Sequence, residues 1–207
     1  MTTPATPNID TLHERYLHAL AIARRTGRTR DELRADYRRF RAHGYAGWGS
    51  EGFWALVIYR LQRRARRLRP RPLARLVQLP LGLVKKLFTM VTHINLHPDA
   101  RIGPGLLIPH VGSIQVYPLA TVGADCAIHQ ICTIGAGARP GGPVIGDHVY
   151  IACHTCILGP VRVGDRARIG AGAVVVSDIP PDTTAVGVPA RPLQTKAKSN
   201  PLTNTSA

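Results

Sequence analysis

The chain has 207 residues, 44% of them hydrophobic but only 5% aromatic, so a sizeable core is possible and its material is small aliphatic side chains. With 27 Lys and Arg against 12 Asp and Glu, the formal net charge is +15, which points to nucleic acid, an anionic membrane surface or a polyanionic coenzyme as a partner. Acids and histidines interrupt the first residues where a signal peptide would be apolar, and Arg75, Gln78, Pro80, Lys85 and Lys86 make residues 73–94 too polar to span a bilayer. A cytoplasmic protein whose four cysteines are free thiols is expected.

Up to about Met90 the pattern is helical. Residues 10–25 place Leu12, Tyr16, Ala19, Leu20 and Ala23 on one stripe, with Asp10 as N-cap and Gly27 at the end. A second helix is predicted over residues 30–42, stopped by Gly44, and a third over residues 52–68 after the loop "GYAGWGSEG". Pro70, Pro72 and Pro80 are expected to break the stretch up to Met90 into shorter pieces. From Gly52 to Pro98 there is no acidic residue, while residues 60–86 hold ten Arg or Lys. A solvated basic face explains this most simply, and contact with an anionic surface is the functional alternative. Without aromatic interleaving or a DNA-binding motif, nucleic acid is not expected as a partner.

After Met90 the period becomes six. Aliphatic residues fall at Leu96, Ile102, Ile108 and Ile114, resume at Val122, Ile128 and Ile134, and again at Ile145, Ile151, Ile157, Val163, Ile169 and Val175. Glycine follows six of these thirteen, and a small residue comes four positions after most of them. Such hexapeptide repeats build parallel β-helices: three units make one coil, so thirteen give slightly more than four coils. The step from Ile114 to Val122 is eight residues, read as a small bulge, and that from Ile134 to Ile145 is eleven, read as an extruded loop over residues 135–144. Insertions in a solenoid map to surface loops, often on the binding face.

His110, within "LLIPHVGSI", sits two residues after Ile108, where side chains point out of the prism, in column with Gln130, Cys153 and Ala171 and near enough to the extruded loop to be overhung by it. It is either a solvated surface histidine or a base. "CHTC" at residues 153–156 has the spacing of a zinc knuckle, but Cys126 and Cys132 occupy the small-residue positions of different faces and Cys156 a corner, so no metal site is expected. His129 and His154 read as outward-facing solvated positions, and His97 as a cap on the open end of the solenoid.

The repeats, bulge and loop together resemble the hexapeptide-repeat acyltransferases, most closely the serine acetyltransferases, through "HPDARIGPGLLIPH", "VYPLATVGADCAIHQICTIG" and "PPDTTAVGVPARPL" and, more loosely, "GFWALVIYRLQRR". The resemblance implies a helical N-terminal region (1–94), a left-handed parallel β-helix (95–193) and a flexible C-terminal tail (194–207). It implies that His110 is the general base, taking the proton of an acceptor hydroxyl that attacks the thioester of acetyl-CoA directly, a task suited to an imidazole titrating near neutrality. By the same resemblance acetyl-CoA lies between adjacent solenoids of a trimer, or of a dimer of trimers. Ala152, Cys153, Ala171 and Gly172 would line its pantetheine arm and Arg191 would meet its phosphates. Asn95 and Pro109 stand where the family usually carries aspartates, and Gly141 and Gly142 where its loop carries an Arg-His pair that grips the amino acid, a role that Arg139 would take over.

These features leave three functions open. The first is transfer of acetyl to L-serine, in cysteine biosynthesis. The second is the same chemistry on a sugar, glycan precursor or natural-product hydroxyl, and the third a non-catalytic β-helix that binds an anionic partner through its basic helices.

Overall fold

A computed structural model describes residues 28–193; the helix expected over residues 10–25 and the tail after residue 193 lie outside them. Three helices, α1 (Thr29–Ala42), α2 (Glu51–Ala65) and α3 (Arg71–Thr92), precede a parallel β-solenoid. Helix α3 corrects the expectation of broken pieces. Pro72 sits in its first turn, where the missing N–H has no partner to lose, and Pro80 removes one bond within a 22-residue run that continues past it.

The solenoid has three faces. The first carries β1 (Ile94–Leu96), β3 (Ile114–Val116), β6 (Cys132–Gly135), β9 (Cys156–Leu158) and β12 (Val174–Val175). The second carries β2 (Arg101–Ile102), β4 (Thr121–Val122), β7 (Val144–Ile145) and β10 (Arg162–Val163). The third carries β5 (Ala127–Ile128), β8 (Tyr150–Ile151), β11 (Arg168–Ile169), β13 (Thr184–Val186) and the antiparallel β14 (Arg191–Pro192). Ile102, Val122, Ile145 and Val163 stack with no exposure on the second face, as do Ile108, Ile128, Ile151 and Ile169 on the third. Each such side chain contributes about 1.5–3 kcal/mol by leaving water.

Register changes two details of the sequence reading. Val116, not Ile114, lies in line with Leu96 and Ile134, while Ile114 pairs with Cys132 in the small-residue column. The two-residue insertion therefore falls between Ile108 and Val116, around His110. The coils also run on to about five: Ile179 bridges to Val163 and Ala185 pairs with Ile169. A step of four from Val175 to Ile179 hid them from a search at period six.

The helices cover the open edge of the first coil. Tyr59 Oη donates to Ala100 O (2.7 Å) and accepts the Ile102 amide (3.2 Å). Arg60 donates to Ile102 O (3.0 Å) and Gly103 O (2.7 Å), and to both oxygens of Asp36 (2.8 and 3.1 Å). Asp36 Oδ1 in turn accepts the Gly105 (2.8 Å) and Leu106 (3.2 Å) amides, and Glu32 lies 3.4 Å from Arg60. Burial pushes the Asp36 carboxyl up and Arg60 pulls it down; four donors on its two oxygens describe a carboxylate. Side-chain charges thus satisfy edge carbonyls and amides that a preceding coil would otherwise have paired. Arg60 is 1% exposed, so the basic run is not wholly a solvated face.

Gly52, in the first turn of α2, lies against Ile108, where an added Cβ would come 2.1 Å from the carbonyl oxygen. That contact is with backbone and has no rotamer to relax. Gly52→Ala is expected to cost about 1–3 kcal/mol by overpacking, read as a lowered urea midpoint; an unchanged midpoint would mean that α2 is not held against this coil.

Candidate active site

His110 occupies the corner between Ile108 on the third face and β3 on the first. Eight residues separate Ile108 from Val116, against six from Ile128 to Ile134 in the next coil, so the corner swings outward and exposes the imidazole. Gly112 makes the swing possible. Its φ is +139°, and a Cβ there would approach Gln130 Cβ to 2.9 Å. The Gly112 and Ile114 amides donate to Thr92 O (3.3 Å) and His93 O (3.1 Å), tying this corner to the end of α3.

Because of the swing, Gly112 and not His110 stacks on Gln130. The ring of His110 instead lies 6.0 Å from that of His129 in the next coil, and Tyr45, in the connection between α1 and α2, presents its ring edge-on at 6.4 Å. The column continues from His129 to Tyr150 (4.9 Å) and on to Arg168, whose guanidinium lies 4.6 Å from the Tyr150 ring centre. His129 is half-buried rather than the solvated position its repeat implied. Placing the insertion on the His110 side of Ile114 would have brought it next to His110 from sequence alone. Tyr45 has no such signal, since it comes from the helical region.

Burial, and then the neighbouring His110, hold the His129 imidazole below its ordinary value of 6.5. A lowered folded-state value means that the unfolded chain binds the extra proton first. Stability is therefore expected to fall as pH drops below about 6.5, with His97, also lowered chiefly by burial, adding to the slope. His129→Asn should flatten the decline of the thermal midpoint between neutrality and about pH 5; an equally steep decline would remove His129 as its source.

Gln130, Cys153 and Ala171 do share one corner position in successive coils, linked by His154 N–H to Gln130 O (3.1 Å) and Gly172 N–H to Cys153 O (3.0 Å). Ala152 and Cys153 are half-buried there, and Ala171 and Gly172 are exposed. Strand spacing sets the coil of Ala171 about 14 Å along the prism from that of His110. Arg191 is exposed in β14, its Nη1 donating to Ser177 Oγ (3.4 Å). Asn95, in β1, donates through Nδ2 to Gln115 Oε1 (3.1 Å), a cross-strand pair on the first face. Arg139 is exposed on the extruded loop, which leaves the corner between the first and second faces and packs Gly142 on Leu119 and Gly141 on Pro160. Within one chain the loop therefore does not overhang His110, because the two occupy different corners.

The cysteines do not converge. Cys126 and Cys132 are buried, and burial pushes their thiols up to about 12 and about 11. Cys156 lies in β9 and not at a corner. Among the described residues no three His, Cys, Asp or Glu side chains are grouped to hold a metal ion.

Residues 142–177 match the family model "Bacterial transferase hexapeptide (six repeats)". The serine acetyltransferase of Helicobacter pylori (strain J99) is 35% identical over 143 residues, 68% of this chain and 80% of that protein. The chain belongs to the serine acetyltransferase family. The family's fold agrees with this one: the Neisseria gonorrhoeae serine acetyltransferase in complex with serine superposes with a TM-score of 0.68 at 30% identity, over 91% of this chain and 78% of that one. A serine acetyltransferase in complex with CoA gives 0.66 at 28% identity, over 79% and 68%. The chain spans about half the length, or less, of the first curated relatives it matches.

Proposed function

We propose that this protein transfers the acetyl group of acetyl-CoA to the hydroxyl of L-serine, as in cysteine biosynthesis. The observation that carries the reading is the exposed imidazole of His110 in a swung-out corner, beside His129 of the next coil. Solved relatives in complex with serine and with CoA support it.

In this reading the serine hydroxyl gives its proton to His110 as its oxygen attacks the thioester carbonyl carbon. Backbone N–H groups of the coils receive the oxyanion that develops. Its collapse breaks the carbon–sulfur bond, and the imidazolium returns the proton to the departing thiolate of CoA. The pantetheine arm runs along Ala152, Cys153, Ala171 and Gly172 to Arg191. Asn95 and Arg139 serve the acceptor.

Within the helical region, 1–94, the described helices close the prism, and the solenoid, 95–193, carries the chemistry. A homotrimer, or a pair of trimers, fits the reading, because Arg139 leaves from another corner and would reach the His110 corner of a neighbouring copy. The reaction belongs in the cytoplasm, and no helix among the described residues is long and apolar enough to cross a membrane.

The test is thiol released from acetyl-CoA with L-serine, sugars and natural-product hydroxyls as acceptors. The highest kcat/KM is expected for L-serine. A sugar preferred over serine would move the reading to the second acceptor class, which Pro109, Gly141 and Gly142 favour by lacking the charged groups that hold an amino acid.

A further inference from the structure

Helix α3 packs only one side of itself onto the molecule. Ala74 and Thr92 are its buried residues, whereas Leu76, Leu79, Leu83, Leu87, Met90 and Val91 are each more than half exposed. At 3.6 residues per turn these six fall within an arc of about 120° on the side away from the protein. Exposed Arg75 and Lys86 flank one edge of that arc, Arg71 lies a turn before Arg75, and no acidic residue occurs anywhere from Gly52 to Pro98. A contiguous apolar stripe of this size is not left in water without a partner.

We infer that α3 lies on an anionic lipid surface, its leucines in the boundary between headgroups and acyl chains and its cations on the phosphates. The helix is about 33 Å long, and no helix among the described residues is long and apolar enough to cross a bilayer, so it rests on the membrane and does not span it. The border of cations without a single carboxylate calls for a partner that supplies the negative charge, and an anionic leaflet does so. The consequence reaches the site: the carbonyls of Thr92, the last residue of this helix, and of His93 just after it hold the Gly112 and Ile114 amides, so a membrane against Met90 and Val91 lies beside the His110 corner.

The test is sedimentation of the full chain with vesicles of phosphatidylcholine alone and of phosphatidylcholine mixed with phosphatidylglycerol. Binding to the mixed vesicles at low salt, weakened by added salt, is expected, with little binding to phosphatidylcholine alone. The double variant Leu79→Glu, Leu83→Glu changes two exposed side chains, and circular dichroism will check that it folds; it should bind at least about tenfold more weakly. Arg75→Gln with Lys86→Gln should lose roughly thirtyfold. No binding to the mixed vesicles would overturn the inference, as would binding indifferent to the leucine pair. So would an oligomer that the leucine pair dissociates while the unaltered chain ignores vesicles, since a second copy would then cover the face. The measurement uses no acetyl-CoA, so its failure would leave the proposed reaction standing.

Discussion

Replacing Arg60 with alanine is expected to destabilise the protein by about 3–5 kcal/mol, the usual cost of removing one member of a buried ion pair. The guanidinium is buried against Asp36 and Glu32 and donates to two carbonyls of the first coil. Its loss strands two carboxylates away from water and leaves the Ile102 and Gly103 carbonyls without this donor. Asp36, deprived of its counter-charge, would then hold the Gly105 and Leu106 amides as an uncompensated anion. Because these bonds seal the end of the prism, the effect should appear as a lower urea midpoint for the solenoid and not merely as fraying of the helices. Arg60→Met keeps much of the volume and separates packing from charge: it should be as damaging as alanine or nearly so. A change below about 1 kcal/mol in both variants would mean that the triad is only a surface pair in effect.

His110→Ala is expected to lower kcat for acetyl transfer by about 10²–10⁴, the range supplied by a positioned general base. The side chain is exposed and its ring contacts are with Tyr45 and His129, so the fold should survive and the thermal midpoint should stay close to that of the unaltered chain. The KM for acetyl-CoA should change little, because the residues proposed to line the donor lie in later coils. His129→Asn should behave differently, leaving a substantial rate, because the His129 ring lies beside that of His110 and takes no proton from the acceptor in the proposed reaction. An alanine variant that keeps its kcat would remove His110 from the reaction.

Much of this fold can be read from residues alone because a hexapeptide repeat is a covalent record of packing: every sixth side chain fills the prism, so period and fold are one statement. The helices found over 29–42 and 51–65 were legible within a few residues, the first as 30–42 from its Gly44 stop and the second as 52–68 from the glycine-rich loop before it. The features that escaped reading depend on long-range register. Ile114 has the right residue type for the face and the wrong place, since β3 pairs it with Cys132 and gives the face to Val116. That two-residue difference moves the insertion onto His110 and brings His129, not Gln130, to its ring. Arg60 reads as one more cation in a basic run until Asp36, 24 residues away, is folded onto it. Pro80 reads as a stop, but one lost hydrogen bond did not end a helix with so many others. The chemistry of His110 rests on family resemblance; the periodicity established only that it faces outward.

The most direct measurement is the mass of the product formed from L-serine and isotopically labelled acetyl-CoA by the unaltered chain. Serine carrying one labelled acetyl group on its hydroxyl oxygen, formed in step with free CoA and lost in His110→Ala, is the expected result. Free CoA released with unmodified serine and labelled acetate, or no CoA released at all, would contradict acetyl transfer to serine.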